Sequence, residues 1–119
     1  MFKTTDLHHD FNFPFQLGAS GDGLDFTELK EIEIKEGDII LLGSDGLFDN
    51  LFEGEILRLL FDPHETEDKA KYIANKAESI SWTDDVLTPF EVEAASHGYD
   101  FPGGKMDDIS VIVAFVLPL

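Results

Sequence analysis

The run Gly37-Asp38-Ile39-Ile40-Leu41-Leu42-Gly43-Ser44-Asp45-Gly46-Leu47-Phe48-Asp49-Asn50 constrains the chain most, because it carries an apolar strand straight into a tight turn bearing two carboxylates. A second acidic pair, Asp107-Asp108, stands immediately before the final apolar strand, residues 109–117. If these two strands are antiparallel neighbours, the end of one and the start of the other share a sheet edge, and the carboxylates meet there. Like charges crowded together repel and raise one another's pKa unless a cation neutralises them. Oxygen-only donors of this kind suit hard divalent ions such as Mg2+ or Mn2+.

Composition narrows the alternatives. At 119 residues and 43% hydrophobic content the chain suits one domain with a small core. A formal charge of -17, from 25 acidic against 8 basic residues, argues against nucleic acid and against anionic lipid, since both attractions rest on Lys and Arg. The absence of cysteine removes disulfides, thiolate metal sites and cysteine nucleophiles, and suits a reducing compartment. No apolar run reaches the roughly 18 residues needed to cross a bilayer, and the N-terminus lacks an apolar signal core. The sequence therefore reads as soluble and intracellular.

Residues 11–17 alternate apolar and polar apart from Pro14, which predicts a strand presenting Phe11, Phe13 and Phe15 to the core. A Gly/Ser/Asp loop follows at residues 18–23. Leu29, Ile32 and Ile34 then predict a second strand ahead of a turn at residues 35–38 and the apolar strand 39–43. Asn50 with Glu53 has capping-box spacing, and Ile56, Leu57, Leu59 and Leu60 give a helix its apolar face until Asp62-Pro63. A helix over about 66–81 presents Ala70, Ile73, Ala74, Ala77 and Ile80 as one stripe, with Lys69, Lys71, Lys76 and Glu78 toward water. Thr88-Pro89-Phe90-Glu91 starts a short helix that ends at His97-Gly98. With no repeat and no linker, strands and helices are expected to share one core.

Taken singly, Asp45-Gly46 is an ordinary turn dipeptide, Asp49 an ordinary helix cap, and Asp107-Asp108 a solvated loop. Their strand context gives them weight together. Neither Asp22-Gly23-Leu24-Asp25 nor the 45–49 segment has the alternate-residue ligands and closing glutamate of an EF-hand, and Asp22 and Asp25 read as loop residues. His8-His9 read as adventitious, and His64 and His97 as residues compatible with helix ends. No His-Ser or His-Asp spacing supports a nucleophilic site. Trp82 and the phenylalanines read as core.

The two stretches Leu42-Gly43-Ser44-Asp45-Gly46-Leu47-Phe48-Asp49-Asn50 and Gly104-Lys105-Met106-Asp107-Asp108-Ile109-Ser110-Val111-Ile112-Val113 resemble the C-terminal metal motifs of type 2C, metal-dependent protein serine/threonine phosphatases, in the family's order. The segment Phe11-Asn12-Phe13-Pro14-Phe15-Gln16-Leu17 and the lead-in Pro102-Gly103-Gly104-Lys105 resemble the mitochondrial branch of that family. The resemblance implies an α+β fold, part of an α-β-β-α sandwich of antiparallel sheets flanked by helices. Residues 1–119 would be the C-terminal half of the catalytic domain.

By motif position the resemblance makes Asp45 and Asp107 direct metal ligands, with Asp49 helping Asp45 to hold a further, weaker metal. Gly46 and Asp108 would stand behind them, Asp108 where the family usually has asparagine. It implies two or more Mg2+ or Mn2+ ions per complete site, a metal-bridged water attacking phosphorus in line, a phosphoprotein substrate and a mitochondrial location. The bridging aspartate-glycine motif and the phosphate-gripping arginine belong to the N-terminal half, and Arg58 has no motif match. The chain alone is therefore expected to be inactive and to associate, as a homodimer for instance, through sheet edges left open. Two other readings remain: a non-catalytic module that binds a protein partner, and a plain acidic Ca2+ or Mg2+ binding domain.

Overall fold

The computed structural model describes residues 1–64 and 68–119 and divides into two compact units, Met1–Glu33 and Ile34–Leu119. The single shared core expected from the sequence gives way to this division, because the N-terminal unit packs on a cluster of its own. There, β1 (His8–Asp10) and β2 (Phe13–Pro14) form a short antiparallel ribbon, followed by a 3-10 turn at Leu24–Phe26. The His9 ring lies 4.3 Å from Phe15 and 5.0 Å from Phe13, centroid to centroid, and Phe15 is 4.6 Å from Phe26. His9 Nε2 meets Asp22 Oδ1 at 2.7 Å, and Asp22 Oδ2 accepts from Gln16 N at 2.8 Å. Asp22, expected to be a plain loop residue, thus ties the ribbon to its loop.

The strand expected over residues 29–34 does not form: residues 27–35 carry no regular element, and Leu29, Ile32 and Ile34 are exposed. An extended segment needs a neighbour to satisfy its backbone, and among the described residues no strand offers it a ladder. Gly37, at φ +88°, then turns the chain, and Lys35 N donates to Asp38 Oδ2 at 2.9 Å.

In the larger unit, β3 (Ile39–Gly43) pairs antiparallel with β4 (Val111–Phe115), in a register running from Ile39↔Phe115 to Gly43↔Val111. Between them come α1 (Asp45–Phe48), α2 (Glu53–Leu60), α3 (Lys69–Ser81) and α4 (Pro89–Ser96). Ile39, Leu41, Val111 and Val113 pack on a core of Leu47, Leu51, Ile56, Leu60, Ile73, Ala77 and Ile80. The alternate face of the same strands is also apolar, and there Ile40, Leu42 and Ile112 are exposed. Strands that are apolar on both faces are the pattern of a sheet covered on both sides.

The α3 stripe is as expected, Ile73, Ala77 and Ile80 being buried and Ala70 and Ala74 half-buried. Residues 66–67 of the range expected for this helix lie outside the described residues. Lys69 departs from the expectation, since it is half-buried with its ammonium donating to the carbonyls of Leu59 and Asp62. The α2 cap also differs: Glu55 Oε2 accepts from Phe52 N at 2.9 Å, so the box begins two residues later than Asn50. At α4, Thr88 Oγ1 accepts from Glu91 N at 3.1 Å and Pro89 opens the first turn, as the sequence indicates. His97 caps the other end, where Gly98 takes φ +82°. Trp82 is 72% exposed rather than core, because it caps α3 beyond the end of the buried stripe.

Candidate metal centre

Strand pairing brings the acidic segments together. Beyond the Gly43↔Val111 pair, Ser44 N donates to Ser110 O at 3.0 Å, Ser110 N donates to Ser44 Oγ at 3.0 Å, and Ser44 Oγ donates to Asp108 O at 3.1 Å. This clasp holds the start of α1 against the residues entering β4. Gly46 fits beneath Asp108, where a Cβ would stand 2.5 Å from the Asp108 carbonyl oxygen. Only a residue without a side chain allows that approach.

Asn50 supplies the second fastening. It is 1% exposed, its Nδ2 donates to Gly46 O and Lys105 O at 2.8 Å each, and its Oδ1 accepts from Lys105 N at 2.9 Å. One amide side chain therefore satisfies three backbone groups and fixes residue 105 relative to α1. Leading into it, Thr88 Oγ1 donates to Gly103 O and Glu91 Oε2 accepts from Gly103 N at 2.8 Å, so α4 holds the loop from its other side.

Asp45, Asp49 and Asp107 each present a carboxylate oxygen, and these three oxygens lie within 4.8 Å of one another. The three residues singled out as ligands thus converge at the end of the β3–β4 pair. Gly46 N donates to Asp45 Oδ1 at 3.0 Å, and Asp108 N donates to Asp107 Oδ1 at 2.9 Å, so each of the residues placed behind the ligands orients one of them through its backbone. Asp108 is exposed and serves the cluster through its N–H and carbonyl.

Lys105 is the participant that sequence reasoning missed, having been read only as part of a motif. Its Nζ lies 2.9 Å from Asp49 Oδ2, 3.3 Å from Asp107 Oδ2 and 4.0 Å from Asp45 Oδ2. The Lys105 side chain is 19% exposed, whereas that of Asp45 is 70% exposed. Burial pushes the Asp49 carboxyl above its usual range against the pull of Lys105, and the charges of Asp45 and Asp107 add to the rise. For Lys105, burial acts downward, but the hydrogen bonds and charges of Asp49 and Asp107 outweigh it and hold the ammonium above its ordinary pKa.

The donor set fits a hard divalent cation: three carboxylate oxygens, no sulfur and no imidazole, on backbone fixed by two separate fastenings. Arg58 lies on α2, exposed, with Nε donating to Gly54 O at 3.3 Å. His97 Nδ1 meets Glu93 O at 2.9 Å as part of the α4 terminus. Among the described residues no helix is long and apolar enough to cross a membrane.

An antiparallel strand pair whose ends gather three carboxylates, packed on helices, defines an α+β protein with the makings of a divalent-cation site. Comparison with known proteins shows what the chain is similar to. No family model matches the chain. Among curated proteins it is 33% identical to the probable protein phosphatase 2C 26 of Arabidopsis thaliana, over 98% of this chain and 44% of that protein. It is 36% identical to the probable protein phosphatase 2C 1 of Oryza sativa subsp. japonica, over 98% of this chain and 39% of that one. With the protein phosphatase PTC7 homolog fig of Drosophila ananassae it shares 34% identity, over 98% of this chain and 40% of the relative. The X-ray structure of the photosystem II phosphatase PBCP matches all of this chain with a TM-score of 0.90 and 35% identity, and the match covers 52% of PBCP. The chain is homologous over nearly its whole length to the type 2C protein phosphatases, and it spans about half or less of the proteins it matches.

Proposed function

We propose that this chain supplies part of the metal site of a type 2C protein serine/threonine phosphatase, corresponding to the C-terminal half of the catalytic domain. The observation that carries the reading is the convergence of Asp45, Asp49 and Asp107 to within 4.8 Å at the end of the β3–β4 pair. Asp45 and Asp107 would be the principal ligands and Asp49 the additional one, for two or more Mg2+ or Mn2+ ions in the complete site. Bound there, such ions would supply an activated water and neutralise charge on a phosphate monoester. What the chain itself does is hold three carboxylates in register across a strand pair, and keep that register through Ser44 and Asn50. The substrate would be a phosphoprotein, reached by the half of the domain that this chain does not match.

Three carboxylates, one oxygen each, supply at most half of the six ligands of octahedral Mg2+. The chain alone is therefore expected to bind Mn2+ weakly and to hydrolyse no phosphate ester. The test joins it to the part of PBCP that it does not cover and assays an aryl phosphate and a phosphothreonine peptide with Mn2+. Mn2+-dependent hydrolysis that Asp45→Asn or Asp107→Asn abolishes supports the proposal. A well-folded, inactive fusion favours a non-catalytic partner-binding module.

A further inference from the structure

We propose that Lys105 is the resident counter-ion of the carboxylate cluster: its ammonium holds Asp45, Asp49 and Asp107 together until a divalent cation displaces it, and its presence lowers the cluster's affinity for that cation. The inference rests on the reading of this site as a metal centre, and it assigns a role to a residue which that reading does not use.

The geometry gives one seat to two kinds of cation. The oxygens that a shared ion would contact lie within 4.8 Å of one another, and Lys105 Nζ already stands 2.9, 3.3 and 4.0 Å from carboxylate oxygens of the same three residues. An ammonium nitrogen and a metal ion cannot share that space, and their charges repel. Three carboxylates and one ammonium leave two negative charges, so a divalent ion is still attracted, but it must compete with a cation tethered to the same chain.

The tether moves at its tip and is fixed at its root. Lys105 N and O are both held by Asn50, so displacement of the ammonium leaves the backbone in place and costs the ion pairs to Asp49 and Asp107 together with a side-chain rotation. In this same position Nζ is 5.6 Å from the centroid of the Phe90 ring. The face of an aromatic ring attracts an ammonium at this range. Lys105 Nζ is thus held among the carboxylates and against the Phe90 ring at once. Its charge keeps the acidic cluster from flying apart when no metal is bound, and lifts the metal concentration needed to fill the site.

Calorimetric titration of the chain with Mn2+ at fixed pH and low salt, for wild type and Lys105→Met, tests the proposal. Removing the competing cation is expected to tighten Mn2+ binding by about tenfold, or ~1.4 kcal/mol, while Lys105→Arg stays within a factor of about three of wild type. Melting curves give a readout that a merely structural lysine would not produce: without metal Lys105→Met melts below wild type, and saturating Mn2+ raises its Tm by more than it raises that of wild type. Lys105→Gln, neutral but polar, carries the same expectation should Lys105→Met fail to fold. Equal or weaker Mn2+ binding by a folded, neutral variant overturns the role of Lys105 and leaves the metal centre standing. No Mn2+ uptake by any of these proteins, or uptake that Asp107→Asn leaves unchanged, overturns the metal-centre reading and this proposal with it.

Discussion

Replacing Asn50 by alanine strikes the fastening on which the register of the acidic segments depends. The substitution leaves three backbone groups, Gly46 O, Lys105 O and Lys105 N, without the partners they have at 2.8, 2.8 and 2.9 Å. A buried polar group deprived of its partner costs about 1–3 kcal/mol. Lys105 is only partly buried, so water can reach its N–H and carbonyl and the lower end of that range applies to those two; for the buried Gly46 carbonyl ~1 kcal/mol is a minimum. Three groups at ~1 kcal/mol each, with a further ~1 kcal/mol for packing lost around a side chain 1% exposed, give a destabilisation of about 4 kcal/mol. Domains of this size hold about 5–15 kcal/mol in total, so the loss is a large fraction of the whole. Urea denaturation followed by circular dichroism reads it directly: with a slope near 1 kcal/mol/M the midpoint should fall by roughly 4 M. Mn2+ affinity should fall in parallel, because Asp107 follows Lys105 by two residues and loses its fixed position. A midpoint shift below roughly 1 M with unchanged Mn2+ binding would refute the assignment of Asn50 as the fastening.

Gly46→Ala is expected to cost about 1–3 kcal/mol and to weaken Mn2+ binding, since the new Cβ would meet the Asp108 carbonyl at 2.5 Å and force the strand lead-in outward; denaturation midpoints and titration calorimetry check both. In the N-terminal unit the Gln16 N–H, and then His9, hold the Asp22 carboxyl below the usual carboxylate range. A depressed folded pKa means that the stabilisation is present above the ordinary value and is lost as pH falls through the lower one, so the aromatic NMR shifts of Phe15 and Phe26 should move to disordered positions on acidification, and Asp22→Asn should remove that pH dependence. The exposed apolar face of β3 and β4 should drive self-association of the isolated chain; Leu42→Lys with Ile112→Thr is expected to give a monomer by light scattering, and a wild-type chain that is already monomeric counts against the role given to that face.

Local signals in the sequence carried much of the structure. The α3 stripe and the Thr88-Pro89 helix start were legible because periodicity and capping act over three or four neighbouring residues. The convergence of Asp45 with Asp107 was legible for a different reason: each lies just outside an apolar strand, and antiparallel pairing leaves one place for such residues to meet. What escaped was tertiary. Asn50 resembles a helix cap by its spacing to Glu53, but its amide is taken up by residue 105, and no local pattern marks a partner that distant. Lys105 sits in a glycine-rich lead-in and gives no sign that its ammonium lies among carboxylates. The strand expected at residues 29–34 has the right residues but no neighbour among the described ones, and propensity cannot supply a ladder. The N-terminal phenylalanines were assigned to one core because hydrophobicity does not say which core, and the structure gives them a cluster around His9 instead.

The register that joins Ile39 to Phe115 also fixes an order of events during synthesis. Helices α1 to α4 emerge from the ribosome before β4 does, and each is built from short-range contacts that form quickly, whereas a pairing across nearly the whole unit must wait for the far strand. Asp45 and Asp49 are therefore translated long before Asp107 and Lys105 arrive to complete their cluster. Until then the first two acids lack their partners, and the three-carboxylate cluster forms only when the last strand docks.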